Sequence, residues 1–309
     1  MNLTVPLNTG ATMPVIGLGT ADPMYGILPP GWLQGPFARI RRALYWRIVI
    51  KIRRSWRGFL LSLSVARALR GGYRMIDTSA AYHNEREIRR GIRWGGIPRE
   101  QLFLITRVSN QQQWDGDIRK ALMESLANLG VEYVDLYMFH WPVPETYIQT
   151  WKEMEKLNRE GLARAIGVAN CHRHHLERLQ VSAVISPAVN EFEIHPLMSQ
   201  RDLVEFCQSS GMAVIAYTPI GRFHSKLSGH PALKTCAAKY HKSIPQIILR
   251  WHYQRGIVTI PRSSDPRHIR ANRSVFDFEL SADEMVLIDG VNEDLRLRYD
   301  PDNCDFTKL

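Results

Sequence analysis

Seven polar side chains each follow a short apolar run: Asp77, Tyr82, Arg107, His140, Asn170, Glu191 and Tyr217, with Arg262-Ser263 behind an eighth run. Polar groups at the ends of successive strands are where barrel enzymes gather their chemistry. A phenol, an imidazole, a carboxylate and a fixed cation brought to one mouth suit proton donation to a carbonyl oxygen, provided another group supplies a hydride. Tyrosine is a poor acid near neutrality, with a reference pKa of about 10. A cation about 4 Å away favours phenolate by roughly 4 kcal/mol at an effective dielectric near 20, enough to move that proton. The run Cys171-His172-Arg173-His174-His175 offers thiolate and imidazole, but no carboxylate or second cysteine lies in its window. A solvated helix entrance, without a metal, is the expectation there.

Eight strands must position these groups: Val15 to Leu18, Tyr73 to Asp77, Leu102 to Arg107, Tyr133 to Phe139, Ala165 to Val168, Ala188 to Phe192, Ala213 to Tyr217 and Ile257 to Ile260. Helical spacers separate them, with apolar residues at three- and four-residue intervals over Gly116 to Leu129 and Tyr147 to Leu162, and a capping signal at Leu280 to Glu284. This alternation predicts an α/β fold, a (β/α)8 TIM barrel. Alternating residues around Asn8-Thr9-Gly10 predict an N-terminal β-hairpin in front of it. No glycine fingerprint follows the first strand, and no long Gly, Pro or Ser linker divides the chain, so residues 1–309 read as one domain.

The net charge of +10 is local. Phe37 to Arg70 holds nine arginines, one lysine and no acid; removing those ten from 40 basic residues leaves 30, equal to the 30 acidic ones. A neutral body argues against nucleic acid as a partner. Tyr45, Val49, Ile52, Trp56, Phe59 and Leu63 keep a helical rhythm through the basic stretch. It reads as an enlarged helix with a solvated basic face; a lid, or a contact of residues 37–70 with an anionic membrane or an acidic protein, is the other reading. No run approaches the roughly 18 apolar residues of a membrane span. Widely spaced Cys171, Cys207, Cys236 and Cys304, with no leader pattern, point to a reducing, cytoplasmic location.

Six segments carry a resemblance: GYRMIDTSAAYHNE (72–85), LYMFHWP (136–142), IGVANC (166–171), VNEFEIHP (189–196), IAYTPIG (215–221) and IPRSSDPRHIRAN (260–272). In that order they resemble the aldo-keto reductases over residues 1–20 and about 71–309, and the likeness lapses across an atypical basic insertion at about 21–70. The resemblance implies NADPH-dependent reduction of an aldehyde or ketone, a sugar or keto-sugar among them, without a metal. It implies that Asp77 orients the cation, Tyr82 is the general acid and His140 orients the carbonyl, with Arg107 at a lysine position. It also implies cofactor contacts from Thr20, from Asn170 to the nicotinamide amide, and from Tyr217 as the stacking ring. Glu191 stands at a glutamine position, Arg262-Ser263 at a Lys-Ser pair, His268 at the arginine of the 2′-phosphate site with Arg267 and Arg270 beside it, and Asn272 at the adenine contact. These arginines favour NADP(H) over NAD(H). Arg is a longer, planar fork and not equivalent to Lys, and Glu cannot donate as Gln does. Arg107 and Glu191 therefore support a second reading, a catalytically weak NADP(H)-binding protein whose basic segment docks a partner. A third is an oxidising enzyme for a sugar alcohol, with Tyr82 as base.

Overall fold

A computed structural model describes residues 3–21 and 51–308, with the side chains of 51–55 and 308 outside that description. The N-terminal hairpin forms as expected, β1 (Thr4–Pro6) running antiparallel to β2 (Thr12–Pro14). Its turn passes through Gly10 at φ +82, and Asn8 Nδ2 donates to the Pro187 carbonyl at 3.1 Å, just ahead of the strand that begins at Val189. Leu7 and Met13 join the cluster of Met75, Ile105, Leu136, Val189, Ile215 and Val258. The hairpin thus closes the floor of the sheet that follows.

That sheet contains β3 (Leu18–Gly19), β4 (Met75–Asp77), β5 (Phe103–Val108), β6 (Val134–Phe139), β7 (Ala163–Ala169), β8 (Val189–Glu193), β9 (Ala213–Tyr217) and β10 (Val258–Thr259), all parallel and in chain order. It closes on itself. Ile16 bridges Thr259, Gly17 N donates to the Thr259 carbonyl at 2.9 Å, and Gly19 N donates to the Pro261 carbonyl at 3.3 Å. The approach is tight enough that a Cβ on Gly19 would lie 2.5 Å from the Ile260 carbonyl oxygen. Alternate strand residues then divide between two cores. Met75, Ile105, Leu136, Met138, Val189 and Ile215 fill the barrel, while Ile76, Leu104, Tyr137, Phe139, Ile166 and Val214 pack outward under the helices. With both faces buried, the strands read as nearly continuous apolar runs, which is why they stood out in sequence.

The helix Lys51–Arg70 occupies the first helical layer. Val65, Ala66, Ala68 and Leu69 are buried, and Ser62 Oγ donates to the Glu87 carbonyl at 2.9 Å. Gly91 and Gly95 of the helix Glu85–Gly95 permit the contact, since a Cβ at either would lie within 2.7 Å of Val65 or Leu69. In its described part, the basic stretch is therefore an enlarged barrel helix; residues 37–50, to which the docking expectation also applies, lie outside the described residues. No helix among the described residues is long and apolar enough to cross a membrane.

Candidate active site

Asp77 ends β4 and Arg107 lies within β5, so the register of the parallel pair carries both toward the same mouth. Arg107 is wholly buried. Its Nη2 donates to Asp77 Oδ1 at 2.5 Å and also to Glu191 Oε2, while Nη1 donates to the Thr78 carbonyl at 2.7 Å. Glu191 is on β8, three strands away, so the guanidinium crosses the barrel mouth and ties opposite walls together. Glu191, expected to face a carboxamide, has its side chain engaged with Arg107.

These ion pairs set the protonation of the site. Burial raises the Asp77 carboxyl, Arg107 pulls it back and the like charge of Glu191 lifts it again, leaving it at about 8. Burial likewise raises Glu191 against the pull of Arg107. The guanidinium stays charged, because the two carboxylates outweigh its desolvation. Two carboxylates on one cation in a dry site thus retain a proton near neutrality.

Tyr82 ends a single 3₁₀ turn, Ala80–Tyr82, whose first free amide is capped by Ser79: Ala81 N donates to Ser79 Oγ at 3.2 Å. The turn brings the phenol ring edge-on to His140, with centroids 5.7 Å apart and planes at 78°. Burial raises the Tyr82 hydroxyl above its ordinary value, with Arg107 opposing. His140 is pushed down to about 3 by burial and by the charges of Arg107 and Arg298. At neutral pH the pair is therefore a protonated phenol beside a neutral imidazole, two groups that can each donate a hydrogen bond.

Asn170 and Tyr217 continue the chain of contacts. Asn170 follows β7 in the left-handed region, φ 60, where asparagine is enriched among non-glycine residues. Its Nδ2 donates to the His140 carbonyl at 2.9 Å, and its Oδ1 accepts from Tyr217 Oη at 2.7 Å. Thr20, at the end of β3, donates its hydroxyl to the Asp77 carbonyl at 2.7 Å and braces the strand that carries the carboxylate.

The remaining sequence-selected residues lie beyond β10. Arg262, Ser263 and Ser264 line a cleft of about 200 Å³ with Gly19, Thr20 and, from the first helix, Arg57 and Ser64. Two guanidinium groups and four hydroxyls fit an anionic group such as the phosphates of a dinucleotide. Arg267 is already bound to Asp265, its Nη2 at 2.8 Å from Oδ2, and the same carboxylate caps the helix Pro266–Arg273 by accepting from Arg267 N at 2.8 Å. His268 is exposed and Asn272 buried, one turn apart on that helix.

The C-terminal tail supplies residues that sequence reasoning missed. Buried Glu193 accepts from Leu297 N at 2.8 Å and Arg298 N at 3.0 Å, and Arg298 acts on Tyr82, His140 and Tyr217 as a cation. Asp302 reaches the helix Arg173–Gln180, placing its oxygens 2.6 Å from His172 Nδ1, 3.1 Å from His174 Nε2 and 3.5 Å from His175 Nε2. The carboxylate absent from the local window thus arrives 130 residues later. Arg296 Nη2 lies 3.4 Å from His172 Nε2, on the other side of the ring from Asp302. An anion at a helix N-terminus beside Arg296 makes this a latch for the tail.

The family model described as the Aldo/keto reductase family matches residues 61–293. The chain is 45% identical to the uncharacterized oxidoreductase YtbE of Bacillus subtilis over 247 residues, 79% of this chain and 88% of that protein. It is 42% identical to the glyoxal reductase of the same organism over 243 residues, 79% and 87% of the two chains. Among solved structures, an aldo-keto reductase of Bombyx mori in complex with NADP superposes with a TM-score of 0.81 at 32% identity, covering 97% of this chain and 95% of that one.

Proposed function

We propose that this chain, which belongs to the aldo/keto reductase family, reduces an aldehyde or ketone to the alcohol with NADPH as the hydride source. The observation that carries the reading is the pairing of Tyr82 with His140 beside the Arg107–Asp77 ion pair at the strand ends. A relative that is a glyoxal reductase and a structural neighbour with NADP bound support it. The cofactor would supply the hydride from between Asn170, Tyr217 and the arginine-serine cleft. The chain's own residues then handle the proton. Neutral His140 donates to and orients the carbonyl oxygen, and Tyr82, held protonated, gives its proton to the alkoxide as charge develops there. Arg107 stabilises the phenolate left behind, and Asp77 with the Thr78 carbonyl keeps the guanidinium in place.

The test is NADPH consumption with small aldehydes, α-dicarbonyls and keto-sugars, run beside Tyr82→Phe. Loss of the hydroxyl should lower kcat by about 10² or more, the usual contribution of a general acid, with NADPH affinity unchanged. Equal turnover by the variant would remove Tyr82 from this role, and faster turnover with NADH would overturn the cofactor assignment.

A further inference from the structure

We infer that Glu191 is a positioning residue for Arg107, the two forming one compensated unit in which a second carboxylate holds a long guanidinium across the barrel mouth. The inference rests on the proposed reductase reading and assigns a further residue to its site. A lysine ammonium carries its charge at one nitrogen, and one carboxylate suffices to aim it. A guanidinium spreads its charge over three nitrogens and presents five donors. Asp77 takes one of them and the Thr78 carbonyl another, both from the β4 side of the barrel. With those partners alone the plane could tilt about that side. Glu191 takes the guanidinium from β8, opposite, and removes the tilt.

Burial strengthens the argument. Arg107 is 0% exposed, Asp77 2% and Glu191 3%, so a guanidinium in this position without local anions would be costly. The charge balance points the same way, since the raised Asp77 carboxyl allows a neutral total of one cation, one anion and one shared proton. Tyr82, His140 and Tyr217 are the other titratable groups coupled to this cluster, and the cation of Arg298 acts on all three. The two residues are 84 positions apart, and each departs from the family-like pattern read in the sequence. One structural contact explains both departures.

Four full-length proteins test the unit: wild type, Arg107→Lys, Glu191→Gln and the double variant. Arg107→Lys leaves Glu191 without its cation, and Glu191→Gln loosens the guanidinium, so each alone should lower kcat by about tenfold. The double variant should recover to within about tenfold of wild type, where independent effects would multiply to about a hundredfold loss. The kcat limb near pH 8 in wild type should move to lower pH in Glu191→Gln, while NADPH affinity, read by quenching of protein fluorescence, changes by less than about threefold. Losses that multiply within twofold would overturn the inference. So would tenfold weaker NADPH binding in Glu191→Gln at unchanged kcat, the signature of a direct cofactor contact. If wild type turns over no carbonyl, the reductase reading fails by itself; the inference then stands or falls on thermal unfolding, where the double variant should be more stable than Arg107→Lys. Additive shifts in unfolding temperature would overturn it.

Discussion

Removing one oxygen atom at Tyr217 separates a ring's contribution from a hydroxyl's. The hydroxyl donates to Asn170 Oδ1 at 2.7 Å, and the same amide donates to the His140 carbonyl at 2.9 Å. Tyr217→Phe retains the ring but leaves the buried Asn170 oxygen short of a donor. A lost neutral hydrogen bond costs about 1 kcal/mol, and an unsatisfied buried acceptor about 1–3. Tyr217 is half-buried, so water can reach part of this site, and the lower end applies: about 1–2 kcal/mol, or roughly 5- to 30-fold in affinity for any ligand that uses the Asn170 amide.

The assay is titration of NADPH and NADP+ against protein fluorescence, with urea midpoints to separate folding from binding. Tyr217→Phe should weaken both nucleotides by at least about fivefold. Tyr217→Ala should weaken them further, because an aromatic platform contributes about 1–3 kcal/mol per stacked ring. Burial, and then the charge of Glu193, hold the Tyr217 phenol above its ordinary value, so the difference should be flat from pH 6 to 9. Binding by Tyr217→Phe within twofold of wild type would refute the claim that the hydroxyl orients Asn170. Equal binding by the Phe and Ala variants would refute the stacking role.

Two further outcomes follow from the frame around the site. Gly19→Ala would bring a Cβ to 2.5 Å from a backbone carbonyl at the barrel seam, so the urea midpoint should fall by the equivalent of about 1–3 kcal/mol; an unchanged midpoint would mean that the seam yields freely. Asp77's folded-state pKa of about 8 exceeds its unfolded value, so this group's contribution is fully favourable below about pH 4 and is lost as pH rises toward 8. Glu191→Gln removes the like charge, so its stability relative to wild type should improve across that window by at most about 1.4 kcal/mol per pH unit, and parallel curves would deny the shared proton.

The strands were legible because they are buried on both faces, and a polar residue at the end of an apolar run marks the mouth of the barrel. Asp77, Arg107, Asn170 and Tyr217 could therefore be placed at one mouth from sequence. Their partners could not. The Arg107–Glu191 contact depends on the width of the barrel mouth, and no local pattern encodes that width. Asp302 meets His172 only because the tail folds back over 130 residues, and a reading by windows sees three histidines and no carboxylate. Arg298 is invisible for the same reason: a solvated cation in a tail with no periodicity becomes part of the mouth only once Glu193 has fixed its backbone. Arg267, selected for a ligand, pairs in the structure with its own neighbour Asp265, a contact that lies two residues away.

The ion triad also bears on how acidic the proton donor can be. A lone cation about 4 Å from a phenol would favour phenolate by roughly 4 kcal/mol at an effective dielectric near 20. Here the cation is shared, and Asp77 and Glu191 raise the Tyr82 hydroxyl while Arg107 lowers it. The shared proton near neutrality limits that opposition, because one carboxyl is uncharged when the site works. Glu191 thus has two opposed effects on Tyr82: it holds the guanidinium where it can act, and its charge offsets part of what the guanidinium does. In such a site the phenol's proton is held rather than loosened, and under the proposed reaction proton transfer would rely more on the placement of Tyr82 and His140 than on an acid tuned by a free cation. Substitution of Glu191 therefore reports a balance between geometry and charge, which is why its effect has meaning only beside that of Arg107.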